Sequence, residues 1–242
     1  PYGLIVSADF EHFLSGLKLS HMAHRIIIIG QKENKTSRSW KTVLSKKSVS
    51  PLRTEVTNYD IAYLNFTSGT TGVPKAAVAT HDNILWNTLS AIESLRLTSD
   101  DVHLCLFPIF GHPHELFARP LCLGGTMVLV DSISPKAIVK AICDHKVTCM
   151  MAVASIYAAL IRFHRSRPFE FSSVRVAESG GMHITPVLRK DFEKELNVSL
   201  LPVWGSTETM GIALFTSDPV ANAKGAMGKP CPYYGIKVVG EE

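Results

Sequence analysis

From residue 60 onwards, short apolar segments alternate with longer segments in which apolar residues recur at helical spacing. Strands are predicted over 61–66, 76–79, 102–107, 126–130, 147–153, 174–178 and 200–204, and helices over 82–95, 116–123, 135–144, 156–165 and 186–196. Strands that alternate with helices are joined by crossovers, which place the helices on the faces of a parallel sheet. The sequence therefore predicts an α/β fold with mostly parallel sheets flanked by helices.

Two predicted helices begin with a hydroxyl residue followed by proline, Ser134-Pro135 and Thr185-Pro186. A hydroxyl at the N-cap accepts from a free backbone N–H, and proline suits the first helical position because it has no N–H to satisfy. Both pairs therefore predict a helix start. By the same reasoning, Ser155 is predicted to cap the helix over 156–165.

The first 59 residues have a different pattern. Their predicted elements are a strand over 4–6, an amphipathic helix over 9–19 and a strand over 25–30, whose four isoleucines leave no polar face and predict burial. Residues 31–59 are rich in basic residues and serine, and they predict a solvated connection with a helical turn near Trp40. We therefore expect a partial N-terminal subdomain with its basic connection over 1–59 and an α/β core over 60–242.

Composition excludes several classes of protein. Hydrophobic residues make up 46% and charged residues 19%, with a net charge of +4, and no basic cluster is interleaved with aromatic residues as in a nucleic-acid groove. No apolar run reaches the roughly 18 residues that a membrane span needs. The five cysteines are odd in number and have no CxxC spacing, which favours reduced thiols and a cytoplasmic location.

A loop rich in hydroxyl residues and glycine directly follows the first strand of the core. It reads Thr67-Ser68-Gly69-Thr70-Thr71-Gly72-Val73-Pro74-Lys75. Backbone N–H groups can approach phosphate oxygens closely where residues are small, and the hydroxyls and the lysine add donors and positive charge. The GxxxxGK[ST] spacing of a Walker loop does not occur in the chain. The loop therefore predicts phosphate binding of another type.

Three further segments follow in order along the chain. They are Ala177-Glu-Ser-Gly-Gly-Met182, then Val203-Trp-Gly-Ser-Thr-Glu-Thr209, and then Gly225-Ala-Met-Gly-Lys-Pro230 with Gly235-Ile-Lys-Val-Val239. Together with the loop over 67–75, this ordered set resembles the adenylate-forming, or acyl-activating, enzyme superfamily. Among its branches it is most similar to the acyl-CoA synthetases. The resemblance covers most of the chain and implies the central part of the large N-terminal domain of such an enzyme.

The resemblance implies a role for each segment. The loop residues Thr67, Ser68, Gly69, Thr70, Thr71 and Gly72 would hold the β- and γ-phosphates of ATP, with Lys75 as a further phosphate contact. Gly181, Met182 and His183 would flank adenine, and Trp204, Gly205 and Ser206 would complete the nucleotide site, with the indole ring available for stacking. Thr207 would donate to the α-phosphate and Glu208 would bind Mg²⁺. Taken alone, Glu208 and Lys75 would each be read as solvated surface residues.

The segment over 107–115 allows two interpretations. His112, His114 and Glu115 are metal-ligand types, but their adjacent spacing without a second cluster disfavours a metal site. In acyl-CoA synthetases the corresponding segment lies at the wall of the acyl pocket, so the resemblance implies that Phe110, Gly111, His112 and Gly180 line the substrate pocket. The chain departs from the family by placing Gly111 where histidine is frequent, which leaves the gating role of His112 unassigned.

The same segment bears on the substrate. Residues 106–111 contain no acid to pair with the α-ammonium group of an amino acid, and a buried ammonium without a carboxylate would be costly. A simple carboxylic acid is therefore favoured. Phe107, Ile109 and Phe110 would suit an aliphatic or aromatic acid, as in fatty acid metabolism, although core packing explains these residues equally well.

The implied reaction joins a carboxylate to ATP, giving an acyl adenylate and pyrophosphate, and then transfers the acyl group to CoA. Its cofactors would be ATP, Mg²⁺ and CoA. Two alternatives stay open: an acyl-AMP ligase that delivers to a carrier protein, and a non-catalytic nucleotide-binding module. The Thr-Gly-Asp segment, the hinge and the C-terminal domain with its catalytic lysine do not occur in the chain, so we expect a partner in the C-terminal domain of its own parent chain and incomplete activity without it.

Overall fold

The computed structural model describes residues 3–22, 25–30, 37–45, 54–67, 72–106, 113–218 and 226–240. Of the predicted site residues, Ser68, Gly69, Thr70, Thr71, Phe110, Gly111 and His112 lie outside these ranges. The chain divides into two compact units, Pro1–Glu55 and Val56–Glu242. No helix in the described part of the chain combines the length and the hydropathy needed to cross a membrane.

The first unit contains a three-stranded parallel sheet in the order β1-β2-β3. Its elements are β1 (Leu4–Ser7), β2 (Ile26–Ile29), β3 (Arg38–Ser39) and α1 (Trp40–Ser45). The prediction of a fully buried β2 is wrong, because Ile26 and Ile28 are buried while Ile29 is 43% exposed. Alternate side chains of a strand point to opposite faces, and here one face forms the core with Met22.

The predicted amphipathic helix over 9–19 is also wrong in type and extent. Ala8–Gly16 forms a 3-10 helix with no buried residue, and a second 3-10 helix covers Ser20–Met22. Phe10 and Phe13 are both more than half exposed. An α-helix of this length depends on packing of its apolar face, and this segment buries none.

The second unit begins with a separate antiparallel hairpin of β4 (Ile61–Thr67) and β5 (Lys75–Thr80). The sequence predicted both as members of a parallel sheet, and this is wrong: the two strands hydrogen-bond to each other in a two-stranded sheet. The loop rich in hydroxyls joins them and is too short for a crossover helix. Such a connection allows only antiparallel pairing.

A seven-stranded sheet forms the centre of the described second unit, in the order β12-β11-β10-β9-β8-β6-β7. Its strands are β6 (Val102–Cys105), β7 (Thr126–Leu129), β8 (Cys149–Ala152), β9 (Val176–Ser179), β10 (Leu200–Ser206), β11 (Gly211–Phe215) and β12 (Lys229–Pro230). Neighbours from β7 to β10 are parallel, whereas β11 and β12 are antiparallel additions. The predicted α/β fold with mostly parallel strands is confirmed.

Helices cover the sheet on both faces. They are α2 (His81–Leu95), α3 (Pro113–Leu123), α4 (Pro135–His145), α5 (Ala154–Ser166) and α6 (Pro186–Leu196). On one face, Met150 and Ala177 pack with Tyr157 of α5 and Phe192 of α6. On the other face, Leu95 of α2 shares a second apolar cluster that includes Cys149, Val176, Val203 and Ile212. The two clusters follow the period-two alternation of the parallel strands.

The predicted helix caps are confirmed at two positions and wrong at one. Ser134 accepts from the Ala137 backbone N–H, and Thr185 accepts from the Leu188 backbone N–H. Ser155 is not a cap, because α5 already begins at Ala154 with Val153 as its N-cap residue. The other predicted element ends in the core lie within three residues of the observed ones.

Candidate active site

Two adjacent strand ends bring the second and third sequence motifs together. The parallel strands β9 and β10 pair Ala177 with Leu200 and Ser179 with Pro202. The loop that starts at Gly180 therefore leaves the sheet beside Val203. A Cβ on Gly180 would lie 3.1 Å from Val203 Cγ2, so glycine lets the two segments approach. The carboxyl edge of a parallel sheet is where α/β proteins place ligand sites.

A cavity of about 90 Å³ lies at this edge, and we call it the glycine cavity. It is lined by Glu115, Met151, Gly180, Gly181, Val203, Gly205, Gly211 and Ile212. Four glycines in the wall keep it open, and its surface is mostly aliphatic with one carboxylate. Of the predicted pocket residues, Gly180 lies here.

A second cavity of about 140 Å³, the loop cavity, lies on the other side of the Gly180 loop. Its lining is Ser179, Met182, His183, Ile184, Thr185, Pro186, Arg189, Pro202, Val203, Ala226 and Met227. Ser179 Oγ is buried and has no hydrogen-bond partner, so a polar atom inside the protein remains available to a ligand. Two predicted adenine contacts, Met182 and His183, therefore line a cavity with an unsatisfied donor.

The strand β10 runs beyond its predicted end at residue 204, through Gly205 to Ser206. It is held there by β11, an antiparallel strand that sequence reasoning missed. A Cβ on Gly205 would lie 2.0 Å from the Gly211 carbonyl oxygen, so this pairing requires glycine. Trp204 pairs with Leu214, is 43% exposed and is not part of the lining of either cavity.

Thr207 and Glu208 lie in a tight turn between β10 and β11. The Ser206 backbone N–H donates to Thr209 Oγ1 at 2.8 Å, and the Thr209 hydroxyl donates to the Gly211 carbonyl oxygen at 2.7 Å. The pKa of the exposed Glu208 carboxyl is lowered, because its own backbone N–H and then the Ser206 hydroxyl donate to it. The turn thus presents an ionised carboxylate on a hydrogen-bonded frame.

Glu208 also lines an open groove of about 670 Å³ that reaches the hairpin and α2. The other lining residues are Val78, Asn83, Trp86, Asn87, Thr209, Met210, Tyr233 and Tyr234. The groove therefore joins the turn to β5, the strand that follows the predicted phosphate loop.

The described ends of the phosphate loop are Thr67 and Lys75, which face each other across the hairpin. Thr67 Oγ1 donates to the Lys75 carbonyl oxygen at 3.4 Å, and the Lys75 side chain is exposed. Gly72 has a φ of +84°, in the left-handed region that favours glycine. Ser68, Gly69, Thr70 and Thr71 lie outside the described ranges, so the phosphate contacts stay a prediction.

A series of side-chain hydrogen bonds connects the hairpin to the turn. Tyr63 Oη lies 2.6 Å from His114 Nδ1, and His114 Nε2 lies 3.1 Å from Asn87 Oδ1. Asn87 Nδ2 donates to Tyr234 Oη at 2.8 Å, and Tyr234 Oη donates to the Thr209 carbonyl oxygen at 2.6 Å. We call this series the Tyr63–Thr209 chain. It joins elements that are not neighbours in any sheet.

A buried ionic cluster lies below the glycine cavity. Arg119 Nη1 contacts both carboxylate oxygens of Glu178, and Arg119 Nη2 donates to Glu115 Oε1 at 3.3 Å. Burial raises the pKa of Glu178 against the opposing effect of Arg119. Sequence reasoning missed this cluster. A glutamate directly after the apolar residues Val176 and Ala177 of a predicted strand was a signal that Glu178 needs a partner, but nothing local identified Arg119.

The structure thus brings together part of the predicted site. Gly180, Gly181 and Gly205 share one cavity, and Met182 and His183 line the neighbouring one. The strand before the first motif does not share a sheet with β9 and β10, because β4 belongs to the hairpin. Among the described residues, no group of three or more His, Cys, Asp or Glu could by itself hold a metal ion.

Comparison with known proteins identifies relatives of the whole chain. The profile of the family described as AMP-binding enzyme matches residues 5–242. A feruloyl-CoA synthase from Amycolatopsis sp is 29% identical over 187 residues, which cover 75% of this chain and 37% of that protein. A medium-chain fatty-acid–CoA ligase from Escherichia coli (strain K12) is 30% identical over 195 residues, which cover 78% of this chain and 34% of that protein.

Solved structures show the same fold. The anthranilate CoA ligase AuaEII in complex with anthranoyl-AMP matches with a TM-score of 0.89 at 22% identity, over 99% of this chain and 47% of that one. At this identity the likeness concerns the fold. The chain spans less than half the length of these relatives.

Proposed function

This chain belongs to the AMP-binding enzyme family, and on that premise we propose that it forms the central part of an ATP-dependent carboxylic acid–CoA ligase. The observation that carries the proposal is the pairing of β9 with β10, which joins the Gly180 loop and the Val203–Glu208 segment around two cavities at one sheet edge. The names of the relatives, which are CoA ligases for aromatic and medium-chain acids, support the same activity.

In this proposal ATP lies across the carboxyl edge of the sheet. The loop cavity would take adenine, with Met182 and His183 beside the ring and the buried Ser179 hydroxyl as a hydrogen-bond donor. The phosphates would extend toward the hairpin loop, where Lys75 supplies positive charge and Gly72 allows close backbone approach. Trp204, half exposed on β10, would stack on the outer side of the nucleotide.

The Thr207–Glu208 turn would suit a magnesium ion that binds together with ATP. Mg²⁺ usually binds one or two carboxylates together with phosphate oxygens and water, so one ionised carboxylate is a sufficient protein ligand. The exposed Glu208 carboxylate, with its lowered pKa, fits this requirement. When bound, the ion neutralises phosphate charge and thereby favours departure of pyrophosphate.

The substrate carboxylate would attack the α-phosphorus, forming a new P–O bond as the bond to pyrophosphate breaks. The chain's residues position the two reactants and stabilise charge, and no covalent bond to the protein is required. The Thr207 hydroxyl would donate to an α-phosphate oxygen. In the second half-reaction the CoA sulfur would attack the acyl carbon and AMP would leave.

The glycine cavity is the proposed acyl site. Its mostly aliphatic wall of Met151, Val203 and Ile212 suits an apolar acyl group of small to medium size, as in fatty acid metabolism. The neighbouring segment with Phe110, Gly111 and His112 would extend this pocket. We also propose that a C-terminal domain carrying a catalytic lysine completes the site, and that the protein acts in the cytoplasm, where its five free thiols would stay reduced.

Calorimetric titration of this chain with Mg·ATP tests the nucleotide site. We expect saturable binding that Glu208→Ala and Lys75→Ala each weaken by about 5- to 50-fold, the effect of one lost charge-assisted contact. The matched controls are Lys140→Ala and Asp144→Ala, which remove an exposed ion pair on α4. Unchanged affinity in Glu208→Ala would instead favour a non-catalytic nucleotide-binding module.

The identity of the acyl acceptor, CoA or a carrier protein, is tested with the longest polypeptide that contains this chain. Carboxylic acids are screened by acid-dependent exchange of labelled pyrophosphate into ATP, and the active acid is then assayed for AMP release with and without CoA. We expect CoA to accelerate AMP release. Acceleration by a phosphopantetheine-bearing carrier protein, with none by CoA, would assign the activity to an acyl-AMP ligase.

A further inference from the structure

The Tyr63–Thr209 chain crosses three elements of the second unit, and its centre is buried. Its central members His114 and Asn87 are 1% and 2% exposed. Buried polar groups need partners, and here each group's partner belongs to a different element of the fold. The chain begins at Tyr63 in β4, the strand that leads into the predicted phosphate loop, and ends at the turn that carries Thr207 and Glu208.

The backbone carbonyl groups at one end define the direction of the hydrogen bonds from Thr209 to His114 Nε2. The Thr209 and Ile212 carbonyl oxygens can only accept, so Tyr234 Oη donates to the first and Asn87 Nδ2 donates to the second at 3.2 Å. Asn87 Oδ1 therefore accepts from His114 Nε2. A neutral imidazole with its proton on Nε2 leaves Nδ1 as an acceptor for the Tyr63 hydroxyl.

With His114 in its neutral form, all four side chains are uncharged in this arrangement. Burial raises the pKa of Tyr63 to about 12, so its hydroxyl keeps the proton that it donates. The chain therefore adds no net charge beside the Glu208 carboxylate. It can fix the position of the turn without competing for a cation or repelling phosphate.

The hydrogen bonds inside the turn do not determine its position relative to the hairpin. Its internal bonds join Ser206 to Thr209, and these bonds define its shape but not its distance from the hairpin. In the described part of the chain, no strand of the hairpin pairs with a strand of the seven-stranded sheet. Tyr234 meets the turn at the Thr209 carbonyl oxygen, one residue after Glu208.

We propose that Tyr63, His114, Asn87 and Tyr234 are positioning residues that hold the Thr207–Glu208 turn at a fixed distance from the β4–β5 hairpin. None of them contacts the nucleotide in this proposal, and they act through the Thr209 carbonyl group and through β4. The role of this link in catalysis rests on the proposed function. The physical link between the hairpin and the turn stands without that function.

The first test measures amide hydrogen exchange of residues 205–211 in the full 242-residue chain. Tyr63→Phe removes one hydroxyl at the far end of the chain of bonds, and we expect exchange in the turn to rise roughly 2- to 10-fold, as expected for one lost hydrogen bond. The control is Tyr157→Phe, which removes a buried hydroxyl that donates to the Glu178 carbonyl oxygen from α5, on the opposite face of the sheet. Unchanged exchange in Tyr63→Phe, or an equal rise in the control, would overturn the inference.

The second test is a double-substitution cycle on Mg·ATP affinity. Tyr63→Phe and Tyr234→Phe should each weaken binding by about 2- to 10-fold, and the double variant should be no weaker than the weaker single variant. In the described part of the chain, His114 and Asn87 join the two hydroxyls, so additive effects would indicate independent contacts and contradict the proposal. If the unsubstituted chain binds no Mg·ATP, the proposed nucleotide-binding function of this chain is wrong. The hydrogen-exchange measurement then tests the link between hairpin and turn by itself.

Discussion

The Arg119 guanidinium contacts both carboxylate oxygens of Glu178, at 2.9 and 3.0 Å, inside the second unit. Both side chains are at most 4% exposed. The same guanidinium also donates to Glu115, whose carboxylate lines the glycine cavity. One positive charge thus supports two buried carboxylates directly below the proposed acyl site.

Removal of Arg119 should strongly destabilise the chain. Arg119→Met leaves two carboxylates in a low-dielectric environment, and we expect the free energy of unfolding at pH 7 to fall by about 3–5 kcal/mol. Arg165→Met is the control, because Arg165 forms exposed ion pairs with Asp191 and Glu195 and should cost no more than about 1 kcal/mol. Urea denaturation measures the loss of unfolding free energy in both variants. Similar losses would mean that the buried Arg119 cluster stabilises the chain no more than an exposed ion pair does.

A buried histidine should make stability depend on pH. Burial, then repulsion by Arg119, lowers the pKa of His103 from 6.5 to about 4, and its Nε2 has no partner. The unfolded chain therefore binds a proton that the folded chain does not as pH falls through this window. Stability should decline by up to about 3 kcal/mol between pH 6.5 and 4 because of this group alone.

Comparison with His103→Gln isolates this contribution. The variant lacks the titrating ring, while the acidic groups titrate as before. The difference in unfolding free energy between variant and unsubstituted chain should shift in favour of the variant as pH is lowered from 7 to 4. A difference that stays constant across this range would show that His103 is not held neutral by its surroundings.

The close contact between β10 and β11 should exclude any side chain at residue 205. A Cβ there would lie 2.0 Å from the Gly211 carbonyl oxygen, which belongs to the backbone and cannot move without loss of the strand pair. We expect Gly205→Ala to cost about 3 kcal/mol or more. Gly235→Ala, where a Cβ would meet nothing within 4 Å, should change stability by no more than about 0.5 kcal/mol. Thermal unfolding of the two variants provides the test.

Two serines near helix starts should differ in their effect on stability. Ser134 accepts from the Ala137 N–H at the start of α4, so Ser134→Ala should cost about 1 kcal/mol. Ser155 lies inside α5 and does not cap it, so Ser155→Ala should cost little, since alanine is the better helix former. Denaturation midpoints of the two variants measure the difference. A larger loss of stability in Ser155→Ala than in Ser134→Ala would contradict the prediction.

Local chemistry accounts for the elements that were predicted well. Thr185-Pro186 defines the start of α6 and Ser134-Pro135 the start of α4, because caps depend only on residues within one turn. The parallel strands of the core follow from short apolar segments that alternate with helices. The candidate site residues at the β9 and β10 ends were named from the resemblance of their motifs to those of a family, and such motifs depend on residue type and spacing alone.

Long-range pairing accounts for the elements that were missed. The hairpin of β4 and β5 has apolar strands like those of the parallel sheet, and only its pairing shows that it is separate. The strand β11 directly follows a turn that belongs to a site motif, and its antiparallel pairing with β10 shifts register between Trp204 and Gly205. Sequence patterns carry periodicity but no information on which strands meet.

The α/β class, the order of the motifs and the glycine and hydroxyl positions of the candidate nucleotide site could all be predicted, because they depend on residue type and on spacing along the chain. The pairing of Arg119 with Glu178 and the link from Tyr63 to Thr209 through His114, Asn87 and Tyr234 are visible only in the folded chain. Such contacts join side chains that lie far apart in the chain, and burial in one core makes each of them the partner that the other requires.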